Sequence, residues 1–192
     1  VSQKIAEAIE QTEQMPDLIT LRRRFASGEI SSEQIVNTYL QRIEMLDRNG
    51  PTLRSIIAVN PDAIEQARES DERRQANTEL GPLDGVPVLI KDNIETQDPI
   101  PTTAGSSALL TNYSQQDSPI VARLRAGGAV ILGKTNLSQW ANFRSTQSVS
   151  GWSSVGGQAK NPHILDRSPC GSSSGSGAAI AAGLATLALG TE

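Results

Sequence analysis

The 192-residue sequence is poor in the residues that build redox, metal and base-stacking sites. Cys170 is its one cysteine, so no intrachain disulfide can form and no thiolate cluster can hold a metal. His163 is its one histidine and adds nothing to a metal cluster, so neither metal nor cofactor is expected. Aromatic residues make up 3%, too few to stack nucleobases. Lys and Arg (17) are outnumbered by Asp and Glu (21), for a net charge of -4, and nucleic acid is not an expected partner. The basic cluster Arg22, Arg23 and Arg24 is balanced by Asp17 and Glu29 and reads as a solvated helix face. No run of 18 apolar residues occurs, so no membrane partner is expected. Residues 1–10 lack the basic-then-apolar pattern of a secretory signal, which makes the cytoplasm the default compartment. What is present, 37% hydrophobic and 20% charged residues, suits a globular domain or part of a larger one.

Residues 1–80 have a helical texture. Ser31 and Gln34 form a capping box ahead of Ile35, Tyr39, Ile43 and Leu46 at helical spacing, and Gly50 and Pro51 stop the pattern. Ile56, Ile57 and Val59 predict a short strand. Residues 61–78 predict a polar helix whose inward side is Ala63, Ile64 and Ala67. From Gly81 onward, turn residues bracket the apolar runs 86–90 and 129–132, with a helix expected over 118–125, which is α/β patterning. The run 178–189 holds little but small residues and Leu, and predicts one helix buried on most sides.

Four local patterns compete to carry chemistry. Residues 128–135 (GAVILGKT) fit the phosphate-loop expression, but an apolar run suits a buried strand rather than a ring of N–H groups around an anion, and Lys134 is read as ending that strand. Residues 171–175 (GSSSG) fit a nucleophile elbow centred on Ser173, yet no histidine follows to complete such a triad. Cys170 with His163 is a conceivable thiol and base pair, against which Cys170 reads as a small buried residue. The pair that survives is Lys91, at the end of VPVLI, and the glycine-serine loop 171–177. That loop runs without a break into a buried-looking helix, unlike a flexible linker.

Three blocks in order resemble the amidase signature family: GPLDGVPVLIKDN (81–93), GAVILGKTNLSQWA (128–141) and SPCGSSSGSGAAIAAG (168–183), with LGTE at 189–192 similar to the start of the nucleophile motif. The resemblance implies an α/β fold with a mixed central sheet flanked by helices. Residues 1–192 are then the N-terminal portion of a single domain, with 1–80 a helical cover and 81–192 the catalytic core. It implies an amidase that cleaves carboxamide C–N bonds through an acyl-serine, with Lys91 and Ser172 as the lysine and bridging serine of a Ser-Ser-Lys triad. The nucleophilic serine is expected just beyond Glu192, so that these residues alone are inactive. Ser172, Ser173, Ala141 and Asn142 are the expected substrate-binding residues, with Ser173 in a structural or a catalytic capacity, and Asp92 and Asn93 are either orienting groups or ordinary turn residues. Such a pair needs the Lys91 amine and the Ser172 hydroxyl within roughly 2.6 to 3.2 Å of each other. The resemblance further implies a cis Gly171–Ser172 peptide bond.

The stretch from Lys134 through Trp140, Ala141 and Asn142 is closer to the peptide amidase branch than to the A-type component of the glutamyl-tRNA(Gln) amidotransferases. Its expected partners are a small-molecule or peptide amide and the remainder of the amidase domain. The alternatives are that A-type component, or a non-catalytic scaffold.

Overall fold

The computed structural model describes residues 2–11 and 15–192. Helices α1 (Ser2–Glu10), α2 (Leu18–Ala26) and α3 (Ser32–Arg42) open the chain. The α2 end is capped by Asp17, whose carboxylate accepts the Thr20 N–H at 2.7 Å, and α3 by the expected box, with Ser31 and Gln34 each accepting the other's N–H. Ile35, Tyr39, Ile43 and Leu46 are all buried, as their spacing requires. The helix does not stop at Arg42 but widens into a π-helical segment, Ile43–Arg48. There the buried Asp47 carboxylate accepts from the Ser55 hydroxyl and from the N–H groups of Ser55 (2.6 Å) and Ile56 (3.2 Å), anchoring the first strand.

Strands β1 (Ile56–Val59), β2 (Pro87–Lys91), β3 (Val130–Thr135) and, after two short strands, β6 (Leu187–Leu189) form one sheet in the order β1-β3-β2-β6. β1 is antiparallel to β3 and the other pairs are parallel, so the sheet is mixed. Every residue of β2 and β3 is buried, because parallel strands carry cover on both faces. Leu89, Val130 and Leu132 pack with the N-terminal helices and with α4 (Ala63–Gln75). Val88, Ile90 and Ile131 pack against Val121 and Leu124 of α5 (Pro119–Ala126). The short strands β4 (Trp152–Ser153) and β5 (Gly157–Gln158) make a separate hairpin. The phosphate-loop look-alike is thus a core strand, and Lys134 lies at its end, one residue short of the last position.

The expectation of one helix over 178–189 is overturned. Helix α6 spans Ser174–Ala181 only, the chain reverses at Gly183 (φ 63°), and β6 then joins the sheet beside β2. Glycine takes that left-handed conformation without a Cβ clash, and the buried Arg42 guanidinium binds the carbonyls of Ala182 (2.9 Å) and Gly183 (2.7 Å) just past the helix end. Helix α6 itself buries Ser174, Gly175, Ser176, Ala178 and Ala179 and exposes one stripe, Gly177, Ile180 and Ala181. Its small residues serve a close approach on one face only: a Cβ at Gly175 would fall on the Ser55 carbonyl and the Asn136 main chain.

Candidate active site

Lys91 is the last residue of β2, and its side chain has no exposed surface. From there Nζ donates to Ser172 Oγ at 2.7 Å and to Thr191 Oγ1 at 2.6 Å. Ser172 precedes α6 and follows a cis Gly171–Ser172 bond, and its carbonyl accepts the Ser138 N–H at 3.0 Å. The register of the sheet sets this meeting. β6 runs parallel to β2 with Ile90 opposite Leu189, so the chain that continues past Leu189 brings Thr191 beside the lysine. Ser176 Oγ donates to the Leu189 carbonyl at 2.7 Å and shares a hydrogen bond of 2.7 Å with Thr135 Oγ1, tying α6 to both β6 and β3. Ser173 does not bond the lysine. Its hydroxyl donates to the Thr191 carbonyl at 3.2 Å and accepts the Thr191 N–H at 3.1 Å.

Burial pushes the Lys91 amine below the ordinary lysine value, and the Glu192 carboxylate pulls the other way. The desolvation arises because an apolar strand delivers the amine to a place where its partners are hydroxyls rather than carboxylates. Asn93 extends the same cluster, its Nδ2 donating to Thr191 Oγ1 at 3.1 Å. Ala141, Asn142, Ser172 and Ser173, together with Gly171, Thr191 and Glu192, line one open cavity of about 460 Å³. Trp140, Ala141 and Asn142 are three successive residues in the left-handed region (φ 54°, 51° and 68°), a conformation that costs a non-glycine residue about 1 kcal/mol. Hydrogen bonds hold them there: the Trp140 N–H donates to the Ala104 carbonyl at 2.9 Å and the Ala141 N–H to the Ser138 carbonyl at 2.8 Å.

The thiol pair is not assembled. Cys170 is exposed, contrary to the buried reading, because it sits at positive φ (64°) in the turn ahead of Gly171, where its main chain serves Ser174 and its side chain faces out. His163 lines a different, mostly apolar groove of about 290 Å³ with Ile9, Leu46 and Leu53. Thr191 was invisible as a lysine partner from sequence. Its place in the LGTE block marks it as part of a motif, but only the sheet brings its hydroxyl to an amine 100 residues away.

The family model described as Amidase matches residues 34–192. The chain belongs to the Amidase family. Among its relatives in that family, a probable amidase of Arabidopsis thaliana is 47% identical over 90% of this chain and 33% of its own length. The A-type component of a glutamyl-tRNA(Gln) amidotransferase from Symbiobacterium thermophilum is 46% identical over 90% of this chain and 34% of its own. The crystal structure of native peptide amidase from Stenotrophomonas maltophilia superposes with a TM-score of 0.89 at 52% identity, covering 92% of this chain and 36% of that one. The chain therefore spans about a third of the length of the curated relatives it matches. The mixed sheet with its flanking helices is the N-terminal part of the amidase signature fold. Among the described residues, no helix is long and apolar enough to cross a membrane.

Proposed function

We propose that the protein containing this chain hydrolyses carboxamides through an acyl-serine, with Lys91 as base and Ser172 as relay. The observation that carries this reading is the 2.7 Å contact between a fully buried lysine amine and a serine hydroxyl on the wall of a cavity. A serine hydroxyl attacks a carbonyl carbon only as its proton leaves. A neutral lysine has a lone pair to take a proton from Ser172, and Ser172 in turn takes one from the attacking serine. As the C–N bond breaks, the same proton returns through Ser172 to the departing amine, and water then hydrolyses the ester with the relay run again. The attacking serine is assigned to the segment after Glu192, as in the resemblance to the nucleophile motif, with residues 1–80 as cover and 81–192 as the part of the catalytic core that holds the base and the relay. Ala141, Asn142, Ser172 and Ser173 bind the amide.

The substrate we favour is a peptide amide, supported by 52% identity to a peptide amidase and by Trp140, Ala141 and Asn142 in the middle block. The 46% identity to an amidotransferase component favours a second reading, release of ammonia from glutamine within a complex. Assaying the whole protein separates the two. Ammonia released from a peptide amide by the protein alone supports the first, and glutaminase activity only with partner proteins supports the second. Wild-type turnover of either substrate by Lys91→Ala or Ser172→Ala would remove both.

A further inference from the structure

A second lysine lies behind the first and has no part in the chemistry just described. Lys134 is the neighbour of Lys91 across the sheet, with Ile90 paired to Lys134 and Lys91 to Thr135, and it too has no exposed surface. Its Nζ donates to the Ile94 carbonyl at 2.7 Å and to Thr102 Oγ1 at 2.7 Å. Those acceptors belong to two different segments, 91–94 and 102–105. Ile94 closes the turn that begins at Lys91, its N–H donating to the Lys91 carbonyl at 2.9 Å. Thr102 opens the segment 102–105, which wraps Asp92. The buried Asp92 carboxylate accepts from the hydroxyl and N–H of Thr103 and from the Gly105 N–H, and the Ala104 N–H donates to the Asp92 carbonyl at 2.8 Å. The Ala104 carbonyl then receives the Trp140 N–H, next to the cavity residues Ala141 and Asn142.

The charges around Lys134 fit the same picture. Asp92, Asp98, Glu95 and Asp117 all attract its ammonium. Arg125 bonds Asp98 and Asp117, whereas Asp92 takes its hydrogen bonds from neutral groups, which leaves Lys134 as its counter-charge. An apolar residue of similar length would fill this volume without desolvating an ammonium. What the ammonium adds is direction, because it fixes two acceptors on different segments at one point.

We propose that Lys134 is a positioning residue for the Lys91–Ser172 pair: by bonding the turn 91–94 to the segment 102–105, it sets where the Lys91 amine ends. This inference rests on the function proposed above. It is tested on the whole protein with Lys134→Met, which keeps the length of the side chain and removes the ammonium. Competent sites are counted by labelling to completion with a fluorophosphonate, so that turnover is read per reactive site. We expect kcat per site to fall roughly ten- to a hundredfold, as a misplacement near 1 Å does, while KM stays within about twofold. Thr102→Val, which removes one acceptor and leaves the ammonium paired to Ile94, is expected to lower kcat in the same direction by less. It decides the matter if Lys134→Met fails to fold. Wild-type kcat per site in Thr102→Val or in a folded Lys134→Met overturns the proposal, and so does a loss confined to KM or to the number of labelled sites. If Lys91→Ala and Ser172→Ala keep wild-type turnover, the functional reading itself fails; if they abolish it while Lys134→Met does not, only this inference does.

Discussion

A lysine can act as a base only in its neutral form, and at Lys91 burial among hydroxyls supplies the bias toward that form. Because burial lowers the Lys91 value, the deprotonated fraction that the proposed mechanism requires rises at a pH below the ordinary ~10.4 of lysine. A kcat-pH profile of the whole protein should therefore show its ascending limb well below that value, and a limb centred there would contradict the buried base. On the same path, Lys91→Ala and Ser172→Ala are each expected to lower kcat by about a thousandfold, the scale of a lost general base. Steady-state assays of Cys170→Ala and His163→Ala should differ from wild type by less than about twofold, since one side chain faces solvent and the other lines a separate groove.

At the level of elements, the site depends on how closely α6 approaches the ends of β1 and β3. Gly175 has no room for a Cβ beside the main chains of Ser55 and Asn136, whereas a Cβ at Gly177 would meet nothing within 4 Å. Gly175→Ala has to push the helix outward, and with it Ser172, so both stability and kcat should fall. Gly177→Ala removes a helix-interior glycine at no steric cost and should raise stability by about 0.4 to 1 kcal/mol in urea unfolding. Equal behaviour of the two variants would deny that close approach fixes the helix. The other end of α6 is held by Arg42, which reaches across from α3. Arg42→Met keeps most of the stem but strands buried carbonyls, and should cost about 3 kcal/mol by the same measurement.

Over the whole molecule, the buried cations make stability depend on pH in a definite direction. Burial pushes Lys134 down to about 8, and Lys91 is lowered as well. Between that value and the ordinary ~10.4, the unfolded chain binds more protons than the folded one, so stability rises with pH across this window. Above it the buried Tyr39, whose hydroxyl is raised by burial, acts in the opposite sense. The urea midpoint of the whole protein should thus climb between roughly pH 8 and 9.5, by the equivalent of about 1 kcal/mol, and climb less in Lys134→Met. A midpoint that falls over this range would refute the buried-ammonium account. Much of this architecture was legible in advance where the governing physics is local. The Ser31 cap, the apolar runs that became β2 and β3, and the polar helix with Ala63 and Ala67 turned inward follow from side-chain chemistry within a few residues. The same locality explains the failures. Composition cannot tell a buried helix from a helix, a turn and a strand, so the run 178–189 was split only when β2 offered an unpaired edge and Arg42 took the carbonyls beyond Ala181. Sequence singled out Lys91 and Ser172 as the candidates for the proposed base and relay. Tertiary structure decided that Lys91 meets Ser172 and Thr191, 81 and 100 residues away, and that Lys134 is buried behind it, because those contacts depend on sheet register and on helix approach, which no local pattern encodes.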